Sequence, residues 1–290
     1  MNASKEAALP AYSVLMSTYA ADEASWLLAA LESMATQTVS PSEIVLVIDG
    51  PVSDDLLSAM DTFDNRYPNL LVRVPLEKNG GLGPALNAGL EHCAFDVIVR
   101  MDADDISLPN RCELQLAKLV EGYDMVGCNA IEFSTDMNSP DSVRQMPETC
   151  EEIIQFSKKR APFVHPTFVV RKAALEAVGG YRNVSYAEDF DLFIRLLKAG
   201  YTGYNVQENL FAVRVDTNVY RRRGGLSYLH DMLSFNMLEL REGWFGLGDF
   251  VVRSGANIVV TLVPNSVRDA IYKKLLRQAF VIWCFLHSLQ

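Results

Sequence analysis

Through the first half of the chain, short apolar runs rich in Val and Ile alternate with longer stretches in which apolar residues recur at helical spacing. The short runs suit buried strands and the longer ones amphipathic helices, so the pattern predicts a mostly parallel central sheet with crossover helices on its faces. YSVLMST, beginning at Tyr12, reads as the first strand. DEASWLLAALESMATQ follows as a helix that sets Leu27, Leu31 and Met34 on one face and offers Asp22 as its N-cap. EIVLVIDG, closed by Gly50 and Pro51, is the second strand; LLVRVP is the third and FDVIVRMD the fourth, with a helix over about Pro84 to His92 between them.

After a further strand, DMVGCNAIEF, residues 134 to 147 are polar and turn-rich. FVHPTFVVRKAALEAVGGY then reads as a strand leading into a helix that stops at Gly179 and Gly180. AEDFDLFIRLLKAGY is an amphipathic helix with Phe190, Phe193, Ile194 and Leu197 on its apolar side. In open sheets of this kind ligands bind beyond the carboxyl ends of the strands. Thr18 and Tyr19, Asp49, and the cluster from Asp102 to Asp105 all fall at such ends, so three distant segments converge on one edge.

Composition and charge narrow the choice of partner. With 290 residues, 49% hydrophobic and 21% charged, the chain can bury a sizeable core. A net charge of −10 argues against nucleic acid, and an anionic ligand needs a bridging cation or a local basic patch. Five cysteines, odd in number and never in a CxxC pair, signal neither a disulfide framework nor a zinc site. The first dozen residues lack the apolar run of a secretory signal, which makes the cytoplasm the expected address.

Three motifs carry chemistry. In MDADD, Asp102 and Asp104 crowd a strand end where their charges repel; a cation such as Mg²⁺ or Mn²⁺ removes that repulsion and takes carboxylates together with phosphate oxygens. The competing explanation is an acidic turn capping the helix that starts near Pro109. EKNGGLGPALNAGLEH combines glycines with Pro84 at a helix start, a loop able to bring backbone N–H groups to a ligand, although a tight strand-to-helix turn needs the same residues. In YAEDFDLF, Glu188, Asp189 and Asp191 suit a helix start by charge alone, and a carboxylate held there can also act as a general base toward a hydroxyl.

As a set, these segments resemble the inverting glycosyltransferases of family 2, bacterial surface-polysaccharide type, over about Tyr12 to Arg223. The likeness runs in order through the opening strand and helix, EIVLVIDGP, NGGLGPALNAGL, the DxD motif in MDADD, and HPTFVVRKAALEAVGGY with AEDFDLFIRL. It implies an α/β GT-A nucleotide-diphospho-sugar transferase fold: a catalytic domain over residues 1–225, with a nucleotide-sugar half at about 10–133 and an acceptor half at about 134–225, and a helical extension over 226–290. It implies further that Thr18, Tyr19, Glu23, Asn79 and Gly81 border the nucleotide pocket and that Asp49 reads the base, usually uracil. Asp102 would touch the ribose or the metal, Asp104 the metal bridging the diphosphate, and Asp189 would deprotonate the acceptor, with Asp191 as second choice. A single acid before Gly50 and a proline at Pro51, where relatives commonly have two acids and a serine, make base selectivity less secure. His165 matches a position near the acceptor and is expected to be structural.

Beyond that span, VYRRRGGLSY puts Arg222 in a basic loop suited to a diphosphate, either the donor's or that of a lipid-linked acceptor. From Phe250 onward Arg253, Arg268, Lys273, Lys274 and Arg277 face one acid, Asp269. Such a tail suits an anionic membrane surface, or equally a helix packed on the protein's own core. No run reaches the roughly 18 apolar residues of a membrane span, which disfavours a polymerising synthase. The expected activity is transfer of a sugar, from a UDP-sugar above all, to a lipid-linked saccharide at the inner face of the cell membrane. A sugar-phosphate nucleotidyltransferase and a non-catalytic saccharide- or nucleotide-binding protein of the same fold are the alternatives.

Overall fold

The computed structural model describes residues 8–215 and 225–262. The elements run β1 (Tyr12–Thr18), α1 (Ala24–Ala35), β2 (Glu43–Ile48), α2 (Asp54–Arg66), β3 (Leu71–Pro75), α3 (Leu82–His92), β4 (Val97–Arg100), β5 (Ile106–Ser107), α4 (Arg111–Val120) and β6 (Met125–Phe133). They continue with β7 (Ser142–Arg144), α5 (Cys150–Ser157), a 3₁₀ turn at His165–Thr167, β8 (Val169–Arg171), α6 (Lys172–Ala177), α7 (Glu188–Lys198), β9 (Gly203–Arg214), α8 (Leu226–Arg241) and α9 (Leu247–Leu262).

One sheet carries all the described strands in the order β3-β2-β1-β4-β8-β6-β9-β5, with β7 on the outer side of β6. The expected parallel arrangement holds for β3, β2, β1 and β4. Beyond β4 the sheet is mixed: β8 runs antiparallel to both β4 and β6, while β6 and β9 pair in parallel. β5, β7 and β9 do not stand out in the apolar pattern, because β5 is two residues long, β7 lies in the polar stretch, and β9 carries the exposed run Gln207 to Asn209 in its middle.

Side chains alternate across the sheet and fill a layer on each face. Tyr12, Val14 and Met16 of β1 pack with Leu27, Leu31 and Met34 of α1, Leu56, Met60 and Phe63 of α2, and Leu116 of α4. Leu15 of the same strand points the other way, into a layer with Leu86 of α3, Leu175 of α6 and Phe193 of α7. Burying a side chain of this size stabilises the fold by about 1.5–3 kcal/mol each, which makes these two layers the main source of cohesion. All four predicted apolar residues of α7 are buried. α8 and α9 form a hairpin docked on α7 through Phe190, Ile194, Met232, Phe235 and Phe245.

Arg253, one of the basic residues expected either at a membrane surface or on the solvated edge of a packed helix, lies against the rings of Phe190, Phe235 and Phe245, the last at 4.6 Å. Its Nε donates to Asn236 Oδ1 at 3.0 Å, and burial lowers its pKa to about 10. The hairpin thus uses this cation internally. Arg268, Lys273, Lys274 and Arg277 fall outside the described residues.

α3 approaches the sheet so closely that a Cβ at Gly89 would lie 2.5 Å from Leu15 Cδ1 and 2.6 Å from Val47 Cγ2. Gly89→Val is therefore expected to lower stability by about 1–3 kcal/mol through overpacking. Urea denaturation at unchanged slope is the check; an unaltered midpoint would mean that α3 stands off the sheet.

Candidate active site

The carboxyl ends of β1, β2 and β4 meet at one edge. Thr18 and Asp49 are buried there, and Asp49 N–H donates to the Thr18 carbonyl at 2.8 Å, locking the first two strand ends together. Both Asp49 carboxylate oxygens accept backbone N–H groups, from Gly80 at 2.7 Å and Gly81 at 3.0 Å. Asn79 Nδ2 adds a bond to the Asp49 carbonyl at 3.2 Å. Gly81, with φ 88°, is the N-cap of α3, a conformation that favours glycine. Asp49 thus shapes the glycine turn.

Asp22 does not cap α1; Glu23 occupies that position, exposed and without a side-chain cap bond. Instead Asp22 Oδ2 accepts from Thr18 Oγ1 at 2.9 Å and from Tyr19 N–H at 3.1 Å, closing the turn that follows β1. Burial raises the pKa of Asp22, and the charge of Asp102 raises it further, which puts a fourth acid beside the aspartate cluster.

Asp102, Asp104 and Asp105 each offer a carboxylate oxygen, and these lie within 4.8 Å of one another. Three fixtures hold them. Arg100, the last residue of β4 and only 2% exposed, pairs through Nη2 with Asp102. Arg214, at the end of β9, donates its backbone N–H to Asp105 Oδ1 at 2.7 Å and its Nε to the Asp104 carbonyl at 3.0 Å. The Arg214 guanidinium is itself clasped between the rings of Trp26 and Phe133, each at 4.6 Å. Burial, with the charges of Asp102 and Asp22, pushes the Asp104 carboxyl up to about 6, and Asp105 is driven well above the ordinary carboxylate range by burial and the charges of Asp102 and Asp104. Charge in the cluster is therefore undercompensated by the protein alone. Oxygen donors in this number, partly solvent-open, fit a hard divalent cation such as Mg²⁺ or Mn²⁺.

The facing wall is α7 and the segment before it. A cleft runs between Gly80–Pro84 and Arg182–Ser185 with Glu188. Asp189 is half-buried in the first turn of α7, where its Oδ1 accepts its neighbour Phe190's N–H at 2.7 Å. Asp191 is placed differently: it is fully buried, and both its oxygens are taken by guanidinium groups, Arg182 Nη2 at 2.6 Å and Arg195 Nε at 2.7 Å. Arg182 continues to Glu242 at 2.9 Å, fastening α7 to the end of α8. His165 is buried, its Nε2 2.9 Å from Tyr181 Oη, and burial holds its pKa well below the usual value. It is a neutral packing residue. Arg222 lies outside the described residues.

Arg100, Arg182 and Arg214 border the site and were not singled out from the chain, and Asp22 was singled out only as a helix cap. A signal for Arg100 existed: a lone cation closing the apolar run DVIVR just before MDADD.

With this geometry in hand, the comparison with known proteins is decisive. Residues 13–179 match Glycosyl transferase family 2, and residues 97–286 match Glycosyl transferase family group 2. The chain belongs to glycosyl transferase family 2. An Escherichia coli protein named UDP-Gal:alpha-D-GlcNAc-diphosphoundecaprenol beta-1,3-galactosyltransferase is 35% identical over 271 residues, covering 93% of this chain and 98% of that protein. The amylovoran biosynthesis glycosyltransferase AmsE of Erwinia amylovora is 35% identical over 267 residues, covering 91% and 98%. Among solved structures, a mannosyltransferase from Pyrobaculum calidifontis in complex with GDP-Man and Mn²⁺ superposes with a TM-score of 0.62 at 18% identity, covering 96% of this chain and 84% of that one. S. aureus TarS 1-349 in complex with UDP-GlcNAc gives 0.58 at 16%, covering 93% and 73%. The fold is GT-A and the activity class is glycosyl transfer, which sets aside the nucleotidyltransferase and the non-catalytic binder.

A cation bound at the cluster would compete with a proton for Asp104. In the metal-free glycosyltransferase its raised pKa stabilises the fold at pH below about 4, and that contribution is lost as pH rises through about 6. Mn²⁺ affinity is expected to run the other way, weakening as pH falls through about 6, and to be lost in Asp104→Ala. Calorimetric titration between pH 5 and 8 checks both; a pH-independent affinity would exclude Asp104 as a ligand.

Proposed function

We propose that this glycosyltransferase moves a sugar from a UDP-sugar to a hydroxyl of a lipid-linked saccharide, inverting the anomeric configuration. The observation that carries this reading is the acidic cluster at the end of β4, on the same sheet edge as the turn of Asp49 and the first turn of α7. Thr18, Tyr19, Glu23, Asp49, Asn79 and Gly81 border the nucleotide. Asp102 and Asp104 would hold a divalent cation, and the chemistry it would supply there is neutralisation of the charge developing on the leaving diphosphate. Asp189 accepts the proton of the acceptor hydroxyl while its oxygen attacks the anomeric carbon; the bond from that carbon to the diphosphate breaks, and UDP leaves with the electron pair. Asp191 is the positioning residue, because it is fully buried and both its oxygens are occupied by guanidinium groups, out of reach of an acceptor hydroxyl. The Escherichia coli relative's printed name, with its UDP-Gal donor and diphosphoundecaprenol acceptor, supports the donor and acceptor classes.

Contact with the membrane belongs to the same proposal, with α9 as its described part. Leu247, Val251, Val252, Ile258 and Val259 project outward, between 40% and 74% exposed. Gly248, Gly255 and Ala256 are the other exposed positions of that helix, so its outer face has no polar side chain. Such a face suits the acyl boundary of a lipid surface, where a lipid-linked acceptor is met. No described helix is long and apolar enough to cross a bilayer.

Transfer from a panel of nucleotide sugars to a diphosphate-linked acceptor tests the chemistry. Asp189→Asn is expected to keep donor binding and lower turnover by roughly 10²–10⁴-fold, as for a lost general base. Asp104→Ala should weaken donor binding and abolish its metal dependence. Full turnover in Asp189→Asn would move the base elsewhere.

Membrane contact has its own test. Replacing Val251, Val252 and Val259 together by Ser is expected to shift protein from the membrane to the supernatant fraction without lowering the midpoint of unfolding. Unchanged partitioning would remove α9 from the interface.

A further inference from the structure

Tyr186 combines two features that the fold alone does not call for. It is 59% exposed, and its backbone sits at φ 61° in the left-handed region, which is unfavourable for a residue with a bulky side chain. Nothing in the turn requires a tyrosine there, and glycine would adopt the same conformation freely. Strain retained at an exposed position, beside a site, points to use of the side chain.

Its surroundings say what use. The ring packs nearly perpendicular to that of Tyr228 on α8, with centroids 5.2 Å apart and planes at 71°. Tyr228 is anchored on the cluster of Phe190, Met232, Phe235 and Phe245, so the pair is braced from below. On either side of Tyr186 in sequence are Asn183, Ser185 and Glu188, which line the cleft, and Asp189 follows three residues on. The segment is stiff at both ends: Arg182 is tied to Asp191 and Glu242, and Ala187 N–H donates to the Val184 carbonyl at 3.1 Å. An open aromatic ring within three residues, along the chain, of a cleft lined by an amide, a hydroxyl and a carboxylate suits a ligand with one apolar face and a hydroxyl rim. That is the shape of a pyranose ring.

We infer that Tyr186, braced by Tyr228, is the platform on which the sugar ring of the acceptor stacks before its hydroxyl meets Asp189. This rests on the transferase reading and adds a residue that sets affinity for the acceptor rather than for the donor. Tyr186 holds no proton in the reaction.

The experiment uses the full chain with N-acetylglucosamine α-linked through diphosphate to a short alkyl group as probe. Tyr186→Ala is expected to raise the acceptor KM about tenfold, the scale of one lost aromatic contact, while the donor KM stays at the wild-type value. Tyr186→Gly should raise the acceptor KM equally while unfolding at the same or a higher temperature, an outcome that a merely structural role would not produce. Tyr186→Trp, which restores a ring, should bring the KM back below that of the alanine variant. Saturation-transfer NMR should show the pyranose C–H protons against the wild-type protein and lose them in Tyr186→Ala.

Acceptor KM values within twofold of wild type in the Ala and Gly variants would overturn the platform and leave the transferase reading standing. A parallel rise in donor KM would overturn it also, in favour of a structural role. If the wild type binds no nucleotide sugar, the transferase reading falls, and the saturation-transfer signal from the saccharide alone still decides the platform.

Discussion

Three carboxylates confined within 4.8 Å of one another repel, and the rest of the site is arranged around holding them there. The sheet supplies the position, since β4 delivers Asp102 directly from its last buried residue, Arg100. Arg100 and Arg214 then supply partial compensation, one by pairing with Asp102 and the other by tying the Asp104 and Asp105 backbone and side chain to β9. The compensation is incomplete. Nε and Nη1 of Arg100 have no hydrogen-bond partner, and Asp104 and Asp105 remain harder to ionise than free carboxyls. A cluster neutralised within the protein would fold more stably and hold a cation less well; this one leaves room for a ligand's charge.

The opposite wall solves a different electrostatic problem. Asp189 is half-buried in the first turn of α7, and the helix that carries it is held in place. Burying Asp191 two residues on, between Arg182 and Arg195, fixes the first turn of α7 from inside. Arg195 also donates to the Val178 and Gly180 carbonyls at 2.6 and 2.7 Å, closing the loop that leads toward the cleft. Two acids of the same motif thus divide the work, one inside and one at the rim, and the division follows from which face of the helix each occupies.

This division marks where the sequence stops being informative. The parallel half of the sheet, the apolar faces of α1 and α7, and the strand-end location of the acids were legible because each rests on local periodicity or on the topology that periodicity implies. Asp191 could stand as second choice to Asp189 because the difference in their surroundings is made by Arg182 and Arg195 and by burial, which are tertiary facts. Asp22 was read as a cap because caps are local; its actual partners, Thr18 and Tyr19, lie on the strand side of the turn. Arg253 was read as surface charge by composition, whereas three rings converge on it only once α8 and α9 pair. Short strands such as β5 have no periodicity to read at all, and it is the partner β9 that makes them strands.

The C-terminal hairpin is where these threads join. Through Arg182 and Glu242 it reaches the acid network of α7, and through Tyr228 it reaches Tyr186 in the segment before that helix. Lys198, at the end of α7, adds a second bond to Glu242 at 2.8 Å. The same hairpin turns an apolar face outward on α9. A single element therefore bears on the acid network of α7, on the packing of Tyr186 and on an exposed apolar surface. A hairpin packed this way orients the opening of the cleft relative to α9 by rigid contacts rather than by a linker. Where the cleft and that face are used together, the fixed relation confines approach to one direction and so reduces the ordering that each encounter requires.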